Sequence, residues 1–92
     1  MLGLKTAKRT SNGNFTTGPS RVIAVHAVCG GSAGTIQLKD GTGGTVMFDI
    51  DTPASATQMV ETYIGDEGIR FKNGVHAALT NITSVTIIYA GP

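Results

Sequence analysis

The sequence predicts an all-β fold, an antiparallel β-sandwich or jelly-roll-like domain, on three observations. From Ser20 to the last residue, short runs rich in β-branched residues follow one another. Glycine- and asparagine-rich turns cut them roughly every 8–12 residues, the spacing of sandwiches and barrels. No stretch carries a helical period with caps, and no segment repeats at a fixed spacing. At 92 residues the chain has the length of one domain.

The N-terminal stretch, residues 1–19, stands apart. It has no hydrophobic period, and Asn12-Gly13, Asn14 and Gly18-Pro19 punctuate it. Leu2, Leu4, Ala7 and Phe15 are too sparse to form a core. The expectation is therefore an extended N-terminal arm over 1–19 and a β-sandwich domain over 20–92. Such an arm can dock on a neighbouring sheet as an added strand.

The first strand of the domain is expected over Arg21–Cys29. It is apolar on both faces except for Arg21 and His26. Strict alternation puts Val22, Ala24, His26 and Val28 on one face and Ile23, Val25 and Ala27 on the other. One set fills the core and the other needs cover. Gly30-Gly-Ser-Ala-Gly34 ends the run, because glycine supplies the backbone angles a turn needs. Thr35–Lys39 alternates cleanly, Ile36 and Leu38 against Gln37 and Lys39. Asp40-Gly41 opens a turn, and Thr45–Asp51 returns with Val46, Phe48 and Ile50 opposite Met47, Asp49 and Asp51. These two runs read as a hairpin.

Pro53 marks the following segment as a connection, since proline has no donor for a central ladder. Gln58–Ile64 is ambiguous by period, but its β-branched content and shortness favour a strand. Ile69–Lys72, Val75–Thr80 and Ser84–Ala90 follow, separated by turns at Asn73-Gly74 and Asn81.

Composition excludes several classes. Net charge is +1, and the one basic cluster is Lys5, Lys8 and Arg9, so no basic stripe for nucleic acid is present. Cys29 is the single cysteine, which excludes a disulfide framework and a cysteine-based zinc site. No apolar run reaches membrane-spanning length, and the N-terminus lacks a signal-peptide core. Charged residues make up 14% of the chain, about half the usual share. So little charge implies that part of the surface is covered by another molecule.

No constellation points to chemistry. His26 and His76, with Asp49 and Asp51 as possible third ligands, match no zinc spacing. They read as strand histidines on polar faces. Asp49 and Asp51 share a strand face, but no aromatic platform or oxygen-rich loop accompanies them. Cys29 lies three residues from His26, on opposite faces of one strand, so an activated pair does not form there. The glycine runs at 30–34 and 41–44 lack the helix and the Lys-Ser/Thr ending of a phosphate loop. Asn81-Ile-Thr83 matches the glycosylation sequon but carries no weight without a signal peptide. The expectation is no enzyme, no catalytic or metal site and no cofactor.

One resemblance adds to this reading. Gly65-Asp-Glu-Gly-Ile-Arg-Phe-Lys-Asn-Gly-Val-His-Ala-Ala-Leu-Thr80, followed by Ser84-Val-Thr-Ile-Ile-Tyr-Ala-Gly91, resembles the ending of small virion proteins of tailed bacteriophages. Arg21-Val-Ile-Ala-Val-His-Ala27 resembles their first strand, which enters the sheet after an arm. The resemblance covers most of residues 20–92 and rests on pattern. It implies a head decoration (cement) protein, a homotrimer on the outer surface of the major capsid protein shell, made in the host cytoplasm, with no nucleic-acid or membrane partner. Tail, adaptor or spike component is the alternative within that class. A ligand- or carbohydrate-binding sandwich is the alternative outside it, disfavoured by an aromatic content of 5%. On the decoration reading, Leu2, Leu4, Lys5, Lys8, Arg9 and Phe15 of the arm are the expected partner-binding residues.

Overall fold

The computed structural model describes residues 3–56, 58–65 and 67–91, and these form strands and turns with no helix. The strands are β1 (Leu4–Arg9), β2 (Gly13–Asn14), β3 (Ser20–Cys29), β4 (Gly34–Asp40), β5 (Val46–Thr52), β6 (Met59–Tyr63), β7 (Ile69–Phe71), β8 (Val75–Thr80) and β9 (Ile82–Ala90). They build two antiparallel sheets. One runs β1-β9-β3-β6, with β7 also pairing β3; the other runs β2-β8-β4-β5.

These orders show how the chain is rolled up. The β4–β5 hairpin is the centre, and successive pairs nest around it: β3 with β6, β2 with β8, β1 with β9. The additional pairings β3–β9 and β4–β8 join the nested pairs into two sheets. That is the jelly-roll form of the sandwich. The strands expected after residue 19 are all present, shifted by no more than two residues at either end.

Inward-facing side chains from both sheets meet in one core of Val22, Val25, Ala27, Ile36, Leu38, Phe71, Val75, Val85 and Ile87. Two bulges correct the expected faces. The register of β3 slips between Val22 and Ala24, so Val22 turns inward and joins Val25 and Ala27. On β5, the partner of Leu38 is Phe48 while that of Lys39 is Val46. Val46 therefore leaves the half-buried face of Phe48 and Ile50 and becomes exposed.

Residues 3–19 are not set apart from the domain. The expected arm becomes β1, an edge strand hydrogen-bonded along β9, and β2, which pairs with β8 in the other sheet. Ala7 and Phe15 pack against the core. Arg9 holds the corner between the two sheets, donating to the carbonyls of Ser11 (3.0 Å), Asn12 (3.1 Å) and Asn14 (3.2 Å). Buried Thr16 accepts from the Ser20 hydroxyl and from the Val75 amide, both at 3.0 Å. Periodicity gives no sign of β1 because the residues registered on the inner face are Lys5, Ala7 and Arg9. Backbone pairing, rather than apolar burial, recruits this strand.

Candidate functional site

The jelly roll leaves two outer faces, and the face of the five-stranded sheet is the unusual one. Its outward positions fall into rows across the strands. The first row is Leu4–Ala90–Arg21–Arg70, and the second is Thr6–Ile88–Ala24–Tyr63. The third is Lys8–Thr86–His26–Glu61, and the fourth, on three strands, is Ser84–Val28–Met59. Large apolar side chains stand on the edge strands β1 and β6, and Ile88 rises from β9 between them. Leu4 is 50% exposed, Ile88 36%, Met59 59% and Tyr63 66%.

That relief produces two shallow concavities. One, of about 330 Å³, is lined by Pro19, Ser20, Arg21, Arg70, Ala90 and Gly91. The other, of about 380 Å³, has Ala24, His26, Glu61, Tyr63 and Ile88 among its lining residues. His26 Nδ1 sits 3.4 Å from Glu61 Oε1, with both side chains substantially exposed. Such a cross-strand pair in water is worth about 0–1 kcal/mol, so it orders the surface more than it stabilises the fold. Arg21 donates from Nη1 to the carbonyl of Glu67 at 3.2 Å, which fixes its guanidinium without neutralising it.

The outer face of the four-stranded sheet is polar. Its outward rows are Asn14–His76–Lys39–Val46, Ala78–Gln37–Asp49 and Thr80–Thr35–Asp51. Near β2, His76 Nδ1 lies 2.8 Å from Asn14 Oδ1, and the Thr42 hydroxyl donates to the same oxygen at 3.3 Å.

The candidates weighed from the sequence are dispersed. His26 lies on one outer face and His76 on the other, and Cys29 is fully buried on the inner side of β3. Asp49 and Asp51 are exposed on the outward face of β5. Among the described residues no group of three His, Cys, Asp or Glu side chains could hold a metal ion. Of the expected arm residues, Leu4, Lys5 and Lys8 are exposed on β1, while Arg9 and Phe15 serve contacts within the chain. Leu2 lies outside the described residues. No sequence pattern singles out Glu61, Tyr63 or Arg70, and Arg21 stands out only as a charged residue in an apolar strand. They come together only through the β3–β6 and β3–β7 registers, which no local pattern encodes.

No protein-family model matches the chain, and no curated protein and no solved structure matches it either. The surface chemistry therefore carries the functional argument.

Proposed function

We propose that this protein is a phage capsid decoration (cement) protein, a structural part that binds the outside of the major capsid shell and stabilises it. One observation carries the reading. Four of the six exposed large apolar side chains among the described residues, Leu4, Met59, Tyr63 and Ile88, sit on one sheet face of a chain poor in charge. A face of that kind favours a protein partner over water. The jelly-roll form, which recurs in viral capsid domains, supports the reading by analogy of fold only.

The mechanism is mechanical. A rigid sandwich seated across a junction of shell subunits binds the assembled lattice and not the separated subunits, so it stabilises assembly by mass action. Leu4 and Lys8 stand on the β1 edge of this face, in reach of the same partner, and Lys5 is exposed on the other side of that edge.

Quantitative mass spectrometry of purified virions tests this. A copy number that scales with the shell protein is the expected result. A number matching a single ring at one vertex transfers the protein to the tail, adaptor or spike. Absence from virions overturns the proposal.

The carbohydrate-binding alternative has one observation in its favour, exposed Tyr63 beside the His26–Glu61 concavity. Sugar sites ordinarily stack rings on flat aromatic faces, and on this surface Tyr63 is the one exposed aromatic among the described residues. Titration with a glycan panel distinguishes the two readings, with no binding expected.

A further inference from the structure

We propose that Arg21 and Arg70 form a carboxylate-binding site, and that its occupant is the Asp49–Asp51 pair of a second copy of this chain. The inference does not depend on the shell reading, and its test uses the purified protein alone.

The two arginines lie directly opposite each other on β3 and β7. Like charges in that relation repel. Arg21 is oriented by the Glu67 carbonyl, and among the described residues neither arginine has an ion-pair partner; the one ion pair there is His26–Glu61. Beside them is the open concavity floored by Ala90, Gly91 and Pro19, where no bulky side chain bars a planar group from the guanidinium forks. Guanidinium presents parallel N–H donors that match the two oxygens of a carboxylate. The site holds two positive charges and an approach path, and nothing among the described residues neutralises it.

Asp49 and Asp51 are its counterpart. Both are exposed on the outward face of β5, the edge strand of the opposite sheet, and neither has a cation partner among the described residues. They occupy the outer face away from the arginines, so they cannot fill the site of their own chain. Their separation along the strand is about 6.8 Å, against about 5 Å for the Cβ atoms of the arginine pair, a difference that long arginine stems absorb.

The flanking residues also correspond. Next to the arginine row is the apolar row Ile88–Ala24–Tyr63. Next to the aspartates on β5 are exposed Val46 and Met47. Charged groups then set the register of the contact, and the apolar neighbours supply the buried area. Each copy offers one half of the contact on each side, so the association is head-to-tail and closes into a ring or extends as a filament.

Sedimentation velocity across micromolar concentrations, at low and high salt, tests the proposal. Self-association is expected at low salt, weakening as salt rises. The double variants Arg21→Glu/Arg70→Glu and Asp49→Lys/Asp51→Lys should each be monomeric, with dissociation constants raised at least tenfold. Their mixture should regain salt-sensitive association, because each variant keeps the half the other has lost and the two reversed halves are themselves opposite in charge. Circular dichroism checks that both are folded; if either is not, Arg→Gln and Asp→Asn at the same positions replace them. A wild-type protein that stays monomeric at low salt overturns the proposal, as does a variant that associates like the wild type or a mixture that remains monomeric. A monomer that instead binds a DNA oligonucleotide through the arginines also overturns it.

Discussion

The two outer faces of the sandwich differ more than its two inner faces do. Inside, both sheets contribute valine, isoleucine, leucine, alanine and one phenylalanine to a shared core. Outside, one sheet presents threonine, glutamine and aspartate, while the other presents rows of small and apolar residues with arginines at one end. Inward positions answer to packing, which any stable sandwich must satisfy. Outward positions on the four-stranded sheet do what solvent requires of a free surface, except at the β5 edge, where exposed Val46 and Met47 flank Asp49 and Asp51. Outward positions on the five-stranded sheet do not, and that departure is the functional signal in a molecule whose described residues hold no group of His, Cys, Asp and Glu side chains fit for a metal ion. Five substitutions separate stability, which belongs to the interior, from association, which belongs to the outer surface.

The largest effect is expected from Ala27→Glu. Ala27 is 1% exposed and sits against Val60 and Val85 across the sheet. A carboxylate there is buried without a partner, so the variant should fail to fold or should melt at far lower temperature. Circular dichroism and thermal melting decide it; a folded variant with wild-type stability would show that the inner and outer faces of β3 are misassigned.

Next comes Gly34→Ala. Gly34 is buried at the start of β4, and a methyl group there would run into the carbonyl oxygen of Thr80. That obstacle is backbone of the neighbouring strand β8, so it does not yield cheaply, and a loss of about 1–3 kcal/mol is expected in urea denaturation. A similar loss, about 1–3 kcal/mol, is expected for Thr16→Val, which keeps the shape but removes the acceptor of the buried Val75 amide. Unchanged stability in this variant would mean that the N-terminal segment is not fastened to β8 through this hydroxyl.

How much of this was legible in the sequence varies with the range of the interaction. Alternation placed β4 and β5 as a hairpin and put Ile36 and Leu38 inside, because each pattern is contained in a few residues. It misplaced Val22 and Val46, since one extra residue in a strand reverses every later side chain, and a bulge leaves no compositional mark when its neighbours are all apolar. It missed β1 and β2, whose pairing is with β9 and β8 at the far end of the chain. For the candidate site, Ala24 and His26 were visible on one of two apolar faces of β3, one of which had to be covered. Arg70 and Tyr63 were ordinary residues of other strands until the register set them beside Arg21 and Ala24.

A smaller effect is expected on the polar face. Asn14→Ala removes the acceptor shared by His76 and Thr42 where β2 meets β8. These groups are solvent-accessible, so water replaces part of what is lost, and the cost should be at or below about 1 kcal/mol. Self-association, measured by sedimentation on the same sample, should be unchanged. Loss of association would extend the interacting surface from the β5 edge to the β2–β8 end of the polar face.

The smallest change in stability, with the largest change in association, is expected from Ala24→Glu. Ala24 lies three residues before Ala27 on the same strand, but it faces outward between Ile88 and Tyr63. A glutamate there can keep its carboxylate in water, so stability should stay within about 0.5 kcal/mol of the wild type, as is usual for surface substitutions. The same carboxylate would fill the floor of the apolar row and stand beside the arginine site, competing for Arg21 and Arg70 from within the chain. A copy whose arginines are so engaged has no site for the aspartates of a neighbour. Sedimentation velocity at low salt should therefore find a folded monomer, and adding salt should change little. If Ala24→Glu instead associates as the wild type does, the apolar row is not part of any contact, and the contrast between the two outer faces is one of composition and not of function.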